Sequence, residues 1–416
     1  MSFERGRHIS ARADQTTVRH ANLGVVLQHV SRQGPCSRAR IAEETGLTRG
    51  TVSSLVSELL DLDLLRETGE DERPGRVGRP AQTLELGRVV VAIGLEINVD
   101  YLAACIEDMA GSVLYEKRVY VDNRRASPGP VLLRLARMAR QAIEAAERDG
   151  HRVAGIAVAV PGLVDVRSGT LLRAPNLDWS EIMVADALRA RIGSLPVRVE
   201  NEANLAALAE HSQGAAQGLG SFICVFGEVG VGAGIFVDGV LFRGAHGFGG
   251  EFGHLTLDPA GETCACGSRG CLETFVGQEV IARRAGVEIE AGGRTQSVTD
   301  ELVRRANGGD GRTLDSLREV GRLLGIGLAS AVNLFDVDAI VLGGCFGPLA
   351  PWLEGEIRAV LDERVLAARW SACELRASEL GETAAVRGAA ALTLSAVIAE
   401  PWTVARRGDD AQEAVS

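Results

Sequence analysis

Apolar residues recur near helical spacing from Thr17 to Gly34, with Val18, Leu23, Val26, Leu27 and Val30 as the stripe, and Gly34-Pro35 ends the pattern. Ser37 stands where it would cap a second helix over Arg38 to Thr45, closed by Gly46, and Thr48 where it would cap a third. In that third helix Val52, Leu55, Val56, Leu59 and Leu60 line one apolar face. Two short helices separated by Gly46-Leu47 make a helix-turn-helix signature. From Val89 the pattern changes. Val89 to Leu95, Tyr101 to Ile106 and Ser112 to Tyr120 read as hairpin-linked strands, Val131 to Arg148 as a helix, and Val153 to Val160 as a buried strand ending at Pro161-Gly162. A second set follows, with strands Phe222 to Phe226 and Gly232 to Val237, a long helix near Leu314 to Phe335, and a strand Ala339 to Leu342 ending at Gly343-Gly344. Hairpins alternating with helices predict an α/β fold, and the two similar halves predict two lobes with a cleft between them.

Length turns these segments into domains, since 416 residues exceed one compact core. The expected division is a DNA-binding head over 1–86, a first lobe over 87–200 and 388–402, a second lobe over 201–387, and a polar, disordered tail over 403–416. Charge separates the head from the rest. Residues 1–80 carry twelve Arg against eleven Asp and Glu, whereas the net charge of the whole chain is −11. A near-neutral head with local arginine clusters on an acidic body suits a small DNA-binding unit attached to something else. No run of eighteen apolar residues occurs, and Met1 to Arg12 is polar and basic, so the chain is expected to be cytoplasmic, with no membrane partner.

The side of the third helix opposite its apolar face begins with Arg49, Gly50, Thr51, Ser53, Ser54 and Ser57, short polar residues and one arginine that suit a major groove. A hairpin-like stretch, Arg66 to Leu86, follows, with Arg73, Arg76 and Arg79 at three-residue spacing among Gly and Pro. It reads either as a wing touching DNA backbone or minor groove, or as an interdomain linker with incidental charge. The candidate DNA contacts are Arg38, Arg49, Thr51, Ser53, Ser54, Arg76 and Arg79.

Among the eight cysteines, three fall in Cys264-Ala-Cys266-Gly-Ser-Arg-Gly-Cys271, ten residues after His254. In a cytosolic chain such clustering favours a metal over disulfides, and three thiolates with one imidazole satisfy tetrahedral Zn²⁺. Four protein ligands leave no position for water, so this zinc is expected to be structural. The alternative is a reduced cysteine cluster without metal.

The run Gly247-Phe-Gly-Gly-Glu251-Phe-Gly253-His254, continued by Cys-x-Cys-Gly-x-x-Gly-Cys-Leu-Glu273, resembles the ROK family of repressors, open-reading-frame products and sugar kinases. The resemblance extends over Pro161-Gly162-Leu-Val-Asp165, Ala174-Pro-Asn176-Leu-Asp-Trp179, Val199-Glu-Asn201-Glu202-Ala-Asn204, Gly230 to Gly239 and Val341-Leu-Gly343-Gly344. It implies two actin-like, ribonuclease-H-type lobes, preceded in the repressors by a winged helix-turn-helix. It also implies that a hexose or pentose is held by Asn176, Asn201, Glu202, Glu251, His254 and Glu273 with backbone at Gly162. The chemistry is apt, because amides and carboxylates read the orientation of adjacent hydroxyls in bidentate pairs. Singly, these residues have plainer readings, Asn201 and Asn204 as helix caps and Glu251 and Glu273 as solvated carboxylates.

Three features depart from the family's kinases. Where those resemble one another in Asp-x-Gly-x-Thr after the first strand, this chain has Glu96-Ile97-Asn98-Val99-Asp100. Where their second phosphate loop reads Gly-Thr-Gly, this chain has Glu228-Val229-Gly230. A charged Glu228 facing a triphosphate would cost roughly 4 kcal/mol at an effective dielectric near 20 and about 4 Å. The kinases' catalytic base is an Asp, and Glu202 stands at its position. No catalytic residue is therefore expected. The reading is a sugar-responsive repressor of carbohydrate-utilisation genes, a homodimer or homotetramer on operator DNA, with xylose or another aldose as its monosaccharide effector. The rival readings are a sugar kinase fused to a DNA-binding domain, and a regulator controlled by docking of another protein.

Overall fold

The computed structural model describes residues 15–68, 82–289 and 295–404. The chain divides into two compact units, one running to Val90 with Asp108–Ala110 and Leu394 onward, the other comprising Val91–Glu107 and Gly111–Thr393.

In the first unit, α1 (Gln15–Gln33), β1 (Cys36–Ser37), α2 (Arg38–Thr45) and α3 (Arg49–Asp61) are followed by β2 (Leu65–Thr68) and β3 (Thr83–Leu86). Leu23, Leu27, Ile41, Leu55 and Leu59 form its dry centre. The predicted caps form. Ser37 accepts the Arg40 N–H at 3.3 Å, Thr48 accepts the Thr51 N–H at 3.2 Å, and Gly46 ends α2 in the left-handed region at φ 73°. Val18 departs from the predicted stripe and is 47% exposed, because it lies about 140° round the helix from Leu23. Strands β2 and β3 pair antiparallel as a hairpin with β1 beside β3. Arg76 and Arg79 lie outside the described residues. The stretch Ala399–Trp402 packs on α1, where Trp402 stacks on His20 at 4.6 Å and the Ala399 carbonyl would meet a Cβ on Gly24 at 2.7 Å. Of the expected first-lobe return over 388–402, Gly388–Thr393 packs on the first lobe, and the described residues from Leu394 group with the head. The expected tail 403–416 lies almost wholly outside the described residues.

The second unit opens with β4 (Val90–Ile97), β5 (Tyr101–Asp108), β6 (Val113–Tyr120), α4 (Pro128–Arg148) and β7 (Arg152–Val160). A small antiparallel sheet of β8 (Leu163–Asp165), β9 (Thr170–Ala174) and β10 (Trp179–Met183) comes next, then α5 (Val184–Ile192), β11 (Val197–Asn201) and α6 (Glu202–Gln213). The first-lobe sheet has the order β11-β7-β4-β5-β6. The second lobe carries β12 (Phe222–Gly227), β13 (Val231–Val237), β14 (Val240–Leu241), α7 (Glu273–Val276), α8 (Gln278–Ala285), α9 (Thr295–Asn307), α10 (Gly311–Phe335), β15 (Ala339–Gly344), α11 (Phe346–Arg364) and β16 (Glu374–Ala377), after which α12 (Ala384–Ala399) returns to pack on β4 and β7 of the first lobe. The second-lobe sheet runs β14-β13-β12-β15-β16. Both sheets thus place their strands in the same sequence order, with β5–β6 and β12–β13 paired antiparallel and β7–β11, β12–β15 and β15–β16 paired parallel. This is the pair of actin-like lobes behind a winged helix-turn-helix.

Every residue of β4 is buried, so its run is apolar almost throughout instead of alternating. Helix α12 lies so close to β4 that a Cβ on Gly94 would meet the Val386 carbonyl oxygen at 1.9 Å. Among the described residues, Gly381–Ala399 is the one helical stretch long and apolar enough to cross a membrane, yet more than half of it is buried in the protein. Arg387 within it pairs with buried Glu107 at 2.7 Å, as suits a core helix. The β8–β10 sheet, α11 and α12 had no clear sequence pattern. The strands of the small sheet are three to five residues long, and α12 is apolar nearly all round.

Candidate functional site

One cavity of about 630 Å³, counted to its open mouth, lies between the lobes of the second unit. It is lined by all seven residues expected to touch a sugar: Gly162, Asn176, Asn201, Glu202, Glu251, His254 and Glu273. Each sits at the end of an element. Gly162 follows β7 at φ 99°, where a Cβ would strike the Arg173 carbonyl at 2.2 Å. Asn176 is in the turn between β9 and β10, Glu202 starts α6, and Glu273 starts α7.

Asn201 combines both of its sequence readings. Its side-chain oxygen caps α6, accepting from Ala203 N at 2.9 Å and Asn204 N at 3.1 Å, and its amide donates to the Gly162 carbonyl at 3.0 Å. One amide hydrogen remains to point at a ligand. Asn204 is structural. It is buried and donates to Glu200, which also accepts Arg243 Nε at 2.7 Å. That bridge ties the start of α6 to the loop leading into Gly249 and Gly250, and Arg243 carried no motif by which sequence could have found it. Gly230 faces the cavity from the second lobe, where a Cβ would stand 2.9 Å from Asn176 Nδ2 and 3.1 Å from Glu273 Oε2.

His254, Cys264, Cys266 and Cys271 bring their ligand atoms within 4.8 Å of one another. Cys266 Sγ lies 3.7 Å from Cys271 Sγ, and Cys264 Sγ lies 3.7 Å from His254 Nδ1. These are the edge lengths of a tetrahedron with metal–sulfur bonds of about 2.3 Å. Backbone N–H groups of Cys266 and Ser268 donate to the Cys264 and Cys266 sulfurs. Gly270 closes the loop at φ 65°, where a Cβ would collide with the Asp258 carbonyl. With Nδ1 turned to the sulfurs, His254 keeps Nε2 on the side of Glu251, 3.8 Å from Oε2. Glu273 Oε1 contacts Cys264 Sγ at 2.8 Å, so the cluster and the cavity share a wall.

Beside the cavity, the turn after β4 meets the turn after β12. Tyr101 donates its hydroxyl to Glu96 Oε1 at 2.7 Å, and Asn98 Nδ2 donates to Glu228 Oε2. Glu96, Asn98, Asp100 and Glu228 are all buried. Burial pushes Glu96 up to about 7, and burial reinforced by Glu202 and Glu96 holds Glu228 well above the carboxylate range. Burial and its acidic neighbours thus favour the protonated form of Glu228, where the sequence suggests a fixed charge facing phosphate. Glu228 fills the corner and engages the donors of the opposite turn. Burial and the nearby Glu96 push Glu202 up to about 8, although part of its side chain stays open to the cavity, where water moderates the effect.

In the first unit, Arg49 and Ser53 are exposed on the polar side of α3. Thr51 is half-buried with its hydroxyl 2.9 Å from that of Thr48. Ser54 accepts from Arg19 at 3.3 Å, and Arg38 pairs with Glu67 at 2.7 Å. Arg19, on α1, was missed by the sequence reading because its place beside α3 depends on helix packing.

Comparison with known proteins sets this geometry in context. The ROK family profile matches residues 92–396, and a MarR family profile matches residues 25–76. The xylose repressor of Bacillus spizizenii is 30% identical over 382 residues, which cover 92% of this chain and 97% of that protein. The DNA-binding transcriptional dual regulator NagC of Escherichia coli is 30% identical over 387 residues, covering 92% and 94%. Among solved structures, a ROK family transcriptional regulator homologous to the E. coli MLC protein superposes with a TM-score of 0.77 at 28% identity, over 93% of this chain and 99% of that one. A ROK family glucokinase from Streptomyces griseus, in complex with glucose and AMPPNP, superposes with a TM-score of 0.62 at 31% identity, over 73% and 98%.

Proposed function

Because this chain belongs to the ROK family, we propose that it is a sugar-responsive, DNA-binding repressor of carbohydrate-utilisation genes, released by a monosaccharide bound between its lobes. The observation that carries the reading is the cavity in which amides, carboxylates and an imidazole converge beside a corner closed by Glu228. In this reading Asn176 and Asn201 donate to sugar oxygens, Glu251 and Glu273 accept from hydroxyls, and His254 Nε2 completes the polar ring. Arg49, Thr51, Ser53 and Ser54 on α3, with Arg38, Arg76 and Arg79, meet operator DNA, and a homodimer or homotetramer presents paired heads to two half-sites. The effector is xylose or another aldose, and the protein works in the cytoplasm.

His254, Cys264, Cys266 and Cys271 would hold a structural Zn²⁺ that anchors the loop before Glu273 and supplies no open coordination position. The rival reading is an ATP-dependent sugar kinase with Glu202 as base. The extra methylene of Glu202 displaces its carboxylate by about an ångström from where an Asp would hold it, a misplacement that can cost on the order of a hundredfold. The two readings separate in one experiment. Monosaccharides are screened by thermal shift with and without ATP and Mg²⁺, and each stabilising sugar is then tested for release of the protein from its selected DNA fragment and for ADP formation. Sugar-dependent release without ADP is expected, and robust turnover would overturn the proposal.

A further inference from the structure

The two lobes meet at equivalent turns, one between β4 and β5, the other between β12 and β13, and the chain itself fills the space between them. Asn98 Nδ2 reaches carboxyls from both lobes, Glu96 Oε1 at 3.4 Å and Glu228 Oε2, while its oxygen accepts the Val99 N–H at 2.6 Å. The Tyr101 hydroxyl lies 2.7 Å from Glu96 Oε1 and 3.3 Å from Glu228 Oε1. A phenol has one hydrogen, so it cannot donate to both. If Tyr101 donates to Glu96, its contact with Glu228 needs a proton on Glu228, which then donates to the phenol oxygen. The result is a chain from the Glu228 carboxyl through Tyr101 to Glu96, crossing from one lobe to the other.

We propose that Glu228 is a proton-bearing latch that ties the two lobes together through Tyr101 and Asn98 and lets the cleft hold its ligand with no nucleotide between them. The inference deepens the sugar-cleft reading and rests on it only for that consequence. It follows from completeness of pairing. Inside a protein, a carboxyl with no neutralising partner is kept by taking a proton. Among the described residues, the charged and titratable groups around Glu228 supply no cation in direct contact. Glu96 on β4, Asp100 in the first turn and Glu202 on α6 all raise its proton affinity, and Tyr101 on β5 is itself held neutral. Arg118 on β6 lies over the Tyr101 ring at 4.5 Å and is engaged by Glu382 ahead of α12. The Cys345 thiol, before α11, is buried and neutral. Glu96 Oε2 has no hydrogen-bond partner although fully buried, so one more polar atom sits in the same dry corner.

The test is amide hydrogen exchange at one fixed neutral pH on the full chain, comparing wild type with Glu228→Gln, Glu228→Ala and Tyr101→Phe. Peptides covering 97–101 and 227–231 report the two lobes separately. Glu228→Ala should speed exchange in both turns, on the order of tenfold. Glu228→Gln, neutral and of the same length, should keep protection near the wild-type level. Tyr101→Phe should loosen the second-lobe turn, which provides the comparison should Glu228→Ala fold poorly. Wild-type protection of 97–101 in Glu228→Ala, or of 227–231 in Tyr101→Phe, would overturn the latch. Exchange in Glu228→Gln as fast as in Glu228→Ala would overturn its proton-bearing state. Sugar titration with and without the magnesium complex of a non-hydrolysable ATP analogue should give one affinity, and a tenfold gain with nucleotide would overturn nucleotide independence. If no sugar binds at all, the cleft reading fails while exchange still decides the latch.

Discussion

Gly230 is held to glycine by what faces it, not by its backbone angle. An added methyl would stand within about 3 Å of Asn176 and Glu273 side-chain atoms, both at the cavity wall. Gly230→Ala should therefore weaken monosaccharide binding between about tenfold and two-hundredfold, the range for one methylene in a fitted pocket. Titration calorimetry would read the loss, and an unchanged affinity would put the ligand elsewhere. Gly162 differs, because its positive φ and the Arg173 carbonyl forbid a side chain outright, so Gly162→Ala should lower stability as well as binding. At the cysteine cluster, Cys266→Ser removes one tetrahedral corner. Elemental analysis should then show little bound zinc and the unfolding midpoint should drop, whereas a metal-free variant as stable as wild type would contradict the site.

At the scale of the element, α3 carries two separable jobs. Its cap is structural, and Thr48→Ala should cost about 1 kcal/mol by leaving the Thr51 N–H without its acceptor. Its exposed face is chemical. Arg49→Ala removes a guanidinium from the first turn and disturbs none of the buried stripe, so operator binding should weaken by about 1–3 kcal/mol with an unchanged melting profile. A phosphate contact would also lower the salt dependence of binding by about one unit, which a titration at several ionic strengths reads directly. Equal affinity at every salt concentration would remove Arg49 from the interface.

On the scale of the molecule, acids from both lobes share one dry corner, and their protonation is linked to folding. Glu96 is raised to about 7, Glu202 to about 8, and Glu228 well above the carboxylate range, all by burial first. Above about pH 4.5 the unfolded chain releases protons that the folded state keeps. Stability should then fall as pH rises from about 4.5 through about 8, and level off only where the folded groups have ionised. The measured midpoint should decline across that window, and less steeply in Glu202→Gln, which carries no proton to lose. A flat profile would mean that these carboxyls are ionised in the folded protein.

The amino-acid pattern alone determined the helix-turn-helix, the strands β4 to β7, β12, β13 and β15, and the cysteine cluster, because each depends on local periodicity or on residue spacing, while the residues that converge on the cavity were legible only through the resemblance to the ROK family. Val18, the small β8–β10 sheet and the helix α12 escaped it, since their environment is set by neighbours far along the chain. Arg243 and Arg19 gain their partners from across 43 and 39 residues, a separation no local pattern reports. Glu228 marks the division most clearly. Its identity, and the missing hydroxyl beside it, are written in the sequence, but its charge is not. Only the tertiary structure, by burying it against Glu96, Asn98 and Tyr101 of the opposite lobe, pushes its proton affinity up and turns it to hydrogen bonding across the lobes.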